Sequence, residues 1–342
     1  MIEAVRSGDA IAAQRQTMGF TKGAYAAWLS GEMKIVIKPA QITRWESGQD
    51  IVPDSVLAFV FGRPSCRPGS MVTVVVGNQK GGVGKTALSV NLAYAMARMG
   101  YRSLLVDMDS QANATKYVGV MGRRLLDLEQ RGLTLSYAFN EDRPVAEMII
   151  TTEFEGLALL PSHASLAATE DRIKARFPNK GEQNRILLKK LRTVAQLFDF
   201  CFLDCAPSLN IFTTMALTAA KWVLVPVQTE PHALDAVEHF AQTIEEVQRT
   251  HNIDLEILGL VPTMYMPRQL QDQQTLGILQ ERYARQHRIF PPIPRSTIFA
   301  QGPALARPTL SFDPLAPGRE VFGQIVSTLL AASIPGSAAV AA

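Results

Sequence analysis

Within ten positions, Gly77 to Thr86, the chain reads G-N-Q-K-G-G-V-G-K-T. A polyphosphate needs a backbone that can wrap it with N–H groups pointing inward, a cation, and a hydroxyl that can share a divalent metal ion; this stretch holds all three. Lys85 is placed for the β- and γ-phosphates of a nucleotide and the Thr86 hydroxyl for Mg²⁺, while the amides of Gly81, Gly82, Val83 and Gly84, with Ala87 just beyond, would form the cradle. The flanks fit that task. Met71 to Val76 is an apolar, β-branched run suited to a buried parallel strand. Ala87 to Met99 repeats its apolar residues at helical spacing, so the loop falls between a strand and a helix N-terminus.

Acidic residues follow at matching places. Tyr101 to Asp109 is a second buried strand ending in Asp107 and Asp109, and strand–helix–strand within this length argues a right-handed βαβ unit. Asp199-Phe-Cys-Phe-Leu-Asp204 is a third, whose terminal Asp204 follows four apolar residues, the arrangement that holds Mg²⁺ through water. On residue type alone Asp109 reads equally as a solvated loop acid. Further strands are expected at Gly156–Pro161, from Trp222 and over Leu255–Val261, and a last helix over Glu320–Ala332. The predicted fold is α/β, a doubly wound, mostly parallel sheet, preceded by a small all-α domain.

Lys80, early in the loop, is a second lysine that an ordinary phosphate loop lacks. K-G-G-V-G-K-T resembles the deviant Walker A box of the ParA/MinD family of ATPases, and other segments resemble that family in order. They are D107-M-D-S-Q-A-N-A-T115, D204-C-A-P-S-L209, V225-P-V-Q-T-E230, T263-M-Y-M-P-R268, F-P-P-I-P-R ending at Arg295, and S311-F-D-P-L-A-P-G318. The resemblance implies an ATP- and Mg²⁺-dependent sandwich homodimer. Lys80 would act across the interface, Asp109 would position or activate the attacking water, and Asp107 would support a magnesium site with Thr86 and Asp204. It further implies nonspecific DNA binding, with Arg268 and Arg295 as contacts, and a centromere-binding ParB-type adaptor that stimulates hydrolysis. Ser110 and Ala206 stand where the family has proline. Ile298 takes the place of a second arginine, so basic surface is also sought at Arg282, Arg285 and Arg307.

Residues 1–62 read as a separate helical unit, with helices expected at Asp9–Met18, at Lys22–Leu29 closed by Ser30-Gly31, after Pro39, and at Pro53–Val60. I42-T-R-W-E-S-G48 followed by Pro53 resembles the helix-turn-helix of Cro/repressor-type regulators. That resemblance places Lys38, Gln41 and Arg44 toward operator DNA, although the connection Glu32–Lys38 exceeds the usual turn. A helical domain that only dimerises or caps is the alternative. Residues 63–70, with two prolines and a glycine, read as a linker; 71–333 is the ATPase domain and 334–342 a frayed tail.

Composition agrees. Hydrophobic residues make up 47% of the 342 and charged residues 19%, too apolar for a disordered chain. A formal net charge of +3 permits nucleic-acid binding without arguing for it. The three cysteines, Cys66, Cys201 and Cys205, are unpaired in spacing and read as reduced thiols, and no histidine motif suggests a metal. No signal peptide or apolar span is expected, and the basic amphipathic C-terminal helix of MinD is missing, so the expected location is cytoplasmic, on the nucleoid when ATP is bound. Asn179-Lys-Gly-Glu182 approaches a guanine-reading box, but it follows Phe177-Pro178 rather than a strand and is read as a loop, which favours ATP. The implied function is a partition ATPase that segregates plasmid or chromosomal DNA and represses its own operon through the N-terminal domain. The alternatives are an ATPase that positions a protein cargo, and an ATP-switched transcription regulator.

Overall fold

A computed structural model describes residues 11–12, 15–16, 19–33, 36–50, 52, 56, 67–141, 143–230, 233–313 and 315–334. Cys66, most of the two outer helices expected in the N-terminal unit, and the tail beyond Ile334 lie outside these residues.

In the N-terminal unit, helix α1 spans Lys22–Met33 and α2 spans Pro39–Glu46. Helix α1 runs one turn past its expected stop at Ser30-Gly31. The Ser30 hydroxyl donates to the carbonyl of Ala26 at 2.7 Å and accepts from the N–H of Ile37 at 2.9 Å, so this residue braces the helix against the following segment. The connection to α2 is therefore only residues 34–38, shorter than the sequence suggested. Tyr25, Leu29, Ile42 and Trp45 form a buried core, and Glu46 on its rim pairs with Arg15 and Lys22.

The α/β unit is built on seven strands: β1 Val72–Val76, β2 Ser103–Met108, β3 Ile150–Thr151, β4 Leu157–Leu160, β5 Phe200–Cys205, β6 Trp222–Gln228 and β7 Glu256–Thr263. Their order is β3-β4-β2-β5-β1-β6-β7, and every pairing is parallel except β3 with β4. The sequence reading missed β3, whose two residues are too few for any periodicity to show.

Alternation along β1 divides the core. Val74 and Val76 face the layer of α3 (Lys85–Arg98), while Val75 faces the opposite one with α4 (Ile211–Ala219) and α5 (Ala233–Thr250). Leu88, Leu92 and Met96 of α3 are buried, each burial worth roughly 1.5–3 kcal/mol. Beyond β7 come α6 (Leu270–Tyr283), α7 (Ile298–Leu305) and α8 (Arg319–Ser333). Ile334, expected in the tail, is buried against the α3 layer. Arg67, expected in the linker, joins Arg102 around the buried carboxylate of Asp199, so the chain is fastened to the α/β unit before β1 begins.

Candidate nucleotide site

Three neighbouring strands, β2, β5 and β1, end together. Val76 lies beside Asp204 and Asp204 beside Asp107 in parallel register, so the loop after β1 opens directly next to the two acids. This is the carboxyl edge of an open parallel sheet, where such folds place their ligands.

The loop is held at several points. Asn78 donates to the carbonyl of Pro226 at 2.7 Å and accepts from the N–H of Lys80 at 3.1 Å. Thr263, at the end of β7, donates to the carbonyl of Val83 at 2.9 Å. Gly82 and Gly84 take φ of +76° and +88°, a region that L side chains rarely enter, and Gly84 then caps α3. At Gly77 the ring of Phe240 comes so close that a Cβ would force the ring to shift.

The two lysines part company. Lys85 is buried, and its ammonium donates to the carbonyl of Lys80 at 2.7 Å; burial lowers its pKa, opposed by Asp204. Lys80 is half-exposed and ion-paired with Glu230, at the end of the segment that leaves β6.

Asp204 is fully buried. Its Oδ1 accepts from Ser89 of α3 at 3.0 Å, while Oδ2 has no well-formed hydrogen bond although the Thr86 hydroxyl stands beside it. Burial, reinforced by the neighbouring Asp107, pushes its pKa up to about 8. A buried carboxylate oxygen without a partner, next to a hydroxyl, is a donor set that fits Mg²⁺. Asp107 differs: Oδ2 accepts from the N–H and hydroxyl of Thr115 at 2.8 and 2.7 Å, and Oδ1 from the N–H of Asp109 at 3.1 Å. With both oxygens engaged, its share in the expected magnesium set is that of a brace ordering the turn on which Asp109 sits. The contacts of Ser89 and Thr115 were not foreseen: Ser89 shows only as a polar residue within an apolar helical run, and Thr115 only as the last residue of the D107–T115 segment.

A cavity of about 690 Å³ opens over this edge, lined by Gly82, Gly84, Lys85, Thr86, Asp109 and Cys205 among others. Asp109 faces it while accepting from the N–H of Gln111 at 2.9 Å. Cys201 and Cys205 are buried free thiols whose pKa burial raises, which makes them packing residues. The stretch read as a loop is only partly one: Lys180–Asn184 is a short helix, and Asn179, just before it, caps it, its side chain accepting from the N–H of Gly181 at 2.8 Å.

Farther out, the N–H of Arg295 donates to the carbonyl of Tyr265 at 3.0 Å, which aligns its strand with the turn carrying Arg268. Both arginines are exposed, and neither forms an ion pair among the described residues. Arg282 and Arg307 instead pair with Glu238 and Glu153. In the N-terminal unit Lys38 is exposed, but the side-chain Oε1 of Gln41 accepts from the backbone N–H of Lys38 at 2.8 Å and Arg44 pairs with Asp50 at 3.1 Å. Two of the three expected operator contacts thus have intrachain partners.

Comparison with known proteins bears on the family and the fold. The model of a family described as an AAA domain matches residues 71–257. The sporulation initiation inhibitor protein Soj of Bacillus subtilis is 36% identical over 253 residues, covering 73% of this chain and 94% of that one. The chromosome-partitioning ATPase Soj of Thermus thermophilus is 34% identical over 258 residues, 75% of this chain and 95% of its own. Among solved structures, cobyrinic acid a,c-diamide synthase of Mycobacterium smegmatis with bound ADP and magnesium superposes with a TM-score of 0.59 at 31% identity, covering 69% of this chain and 92% of that one.

Proposed function

This chain belongs to the ParA/MinD family of P-loop ATPases, and on that premise we propose that it is a partition ATPase working through an ATP-dependent sandwich dimer on DNA. The observation that carries this reading is the division of labour between the loop lysines: Lys85 buried inside the phosphate cradle, Lys80 turned outward where a second subunit can approach.

In this account the amides from Gly81 to Gly84 and Lys85 hold the phosphates of ATP. Thr86 and Asp204 hold Mg²⁺, which neutralises phosphate charge when bound. Asp107 and Thr115 fix the turn so that Asp109 can orient a water and take its proton. Lys80 leaves Glu230 to complete the partner's site, and the closed dimer presents Arg268 and Arg295 to the phosphates of duplex DNA without sequence preference, a mode weakened by salt. Hydrolysis, stimulated by a centromere-bound ParB-type adaptor, returns monomers and releases the DNA. The N-terminal helices add operator recognition through Lys38, Gln41 and Arg44, and with it autorepression.

Sedimentation with ADP and with ATP, each with Mg²⁺, tests the reading. The wild-type chain should dimerise through its ATPase domain only with ATP, and Lys80→Ala should bind ATP yet stay monomeric. Dimerisation of Lys80→Ala as tight as wild type would remove the trans role and with it the sandwich.

A further inference from the structure

Charge on this chain is unevenly placed. Residues 169–192 hold eight lysines and arginines and three acids, Glu170, Asp171 and Glu182, a net +5, whereas the whole chain sums to +3, so the rest of the chain is net negative. The segment comprises three short helices between β4 and β5: Thr169–Arg176, Lys180–Asn184 and Ile186–Arg192. It is separate from the Arg268 turn and the Arg295 segment bonded to it, both of which follow β7 at the far edge of the sheet.

Three of the cations are engaged within the chain. Lys174 pairs with Glu170, Arg176 donates to the carbonyl of Asn140, and Lys190 donates to the carbonyls of Glu141 and Arg143. Among the described residues Arg172, Lys180, Arg185, Lys189 and Arg192 have no ion-pair partner, and all five are exposed. The last three lie at i, i+4 and i+7: Arg185 is the N-cap of the helix Ile186–Arg192, its carbonyl accepting from the N–H of Lys189 at 3.0 Å, and Lys189 and Arg192 lie within that helix. Ile186, Leu187 and Leu191 face the other way, into the core beneath β2 and β5. A solvated helix normally intersperses acids at these spacings. Arg185 and Lys189, as like charges four apart, instead repel each other and cost helix stability. At 1.5 Å per residue the stripe is about 10 Å long, enough to meet successive phosphates of one strand.

We propose that the surface of Arg185, Lys189 and Arg192 is a second, sequence-independent contact surface for duplex DNA, acting with Arg268 and Arg295. The inference rests on the DNA-binding reading above. Because the chain outside this segment is net negative, the attraction that brings DNA to the protein has to come from such local concentrations. Phosphate contacts of this kind release counterions and carry no base preference.

The test is a triple variant, Arg185→Gln/Lys189→Gln/Arg192→Gln, titrated against random-sequence duplex with ATP and Mg²⁺ over a salt series, beside wild type and Arg268→Ala. These side chains are exposed, so the fold and ATP binding should persist; bound ATP is measured in the same samples. The slope of log affinity against log salt should shrink by about 2.7, roughly 0.9 per lost phosphate contact, with affinity down on the order of tenfold or more at physiological salt. Charge reversal to Glu at the same positions should weaken binding further. An unchanged slope and affinity in the triple variant, with Arg268→Ala still impaired, would overturn the second surface alone and leave the face to an acidic protein partner. If wild type itself binds no duplex, the DNA reading fails and this inference with it.

Discussion

The ammonium of Lys80 is ion-paired with the carboxylate of Glu230 in the same chain, across a sequence separation of 150 residues. Glu230 also accepts from Gln228 through its other oxygen at 2.7 Å, so the acceptor is positioned rather than loose. The lysine assigned to the partner's site is therefore held in its own subunit, and dimer closure has to exchange one partner for another.

Glu230→Gln should ease that exchange. Both side chains are partly exposed, at 27% and 37%, and an ion pair in such a setting is worth only about 0.2–1 kcal/mol. The concentration for ATP-dependent dimerisation should accordingly fall by up to about fivefold per released lysine, read by sedimentation. A rise instead would mean that Glu230 supports the closed state.

Asp109→Ala separates binding from chemistry. Asp109 faces the cavity but contributes neither cradle nor metal oxygen, so the variant should bind ATP and dimerise normally. Its hydrolysis rate should drop about 10²–10⁴-fold, the usual contribution of a general base. Undiminished turnover would reduce Asp109 to a loop acid, the reading that residue type alone left open.

Asp204 gives a pH signature in the protein free of magnesium and nucleotide. Its carboxyl is raised to about 8 in the fold, against about 3.9 in an unfolded chain. The folded state thus holds a proton that the unfolded state has lost, and the associated stability is full below about pH 4 and disappears as pH climbs through 8. Asp204→Asn never pays this penalty. From pH 6 to pH 9 the variant should therefore gain about 2–3 kcal/mol on wild type, visible as diverging melting temperatures. Parallel Tm curves would show that Asp204 is ionised in the fold throughout.

Tyr117 links the turn behind Asp109 to the C-terminal helices. Its hydroxyl shares a hydrogen bond with Thr309 at 2.8 Å and donates to the carbonyl of Phe299 at 3.2 Å, while its ring packs against Gly302 of α7 with no room for a Cβ. Gly302→Ala should cost about 1–3 kcal/mol by overpacking, and Tyr117→Phe about 1 kcal/mol. Chemical denaturation checks both, and a neutral Gly302→Ala would mean that α7 moves aside freely.

What could be read in the sequence was whatever carries its own local signal. The glycine spacing, the apolar strands and the terminal acids put the stretch Gly77–Thr86 between a strand and a helix and Asp204 near a strand end, as the fold has them, because strand, turn and helix each impose a pattern on adjacent residues. Long-range partners left no such mark. Nothing near Lys80 names Glu230, and nothing near Asp107 says that Thr115 fills its oxygen; those contacts arise only when strand order brings distant segments together. Gln41 shows the converse. Its type and position suit base recognition, yet in the fold it first satisfies the N–H of Lys38. In the helices of residues 169–192, which cations stay unpaired depends on neighbours as remote as Asn140 and Arg143.

The central claim is that ATP, through Lys80, makes a DNA-binding dimer. Binding to random-sequence duplex and to the gene's upstream DNA, each with ADP and with ATP at physiological salt, tests it most directly. The account predicts random duplex bound by the wild-type chain only with ATP, and that binding lost in Lys80→Ala. Random-duplex binding indifferent to the nucleotide, or retained in full by Lys80→Ala, would contradict it and turn the search toward a protein cargo or an ATP-switched regulator.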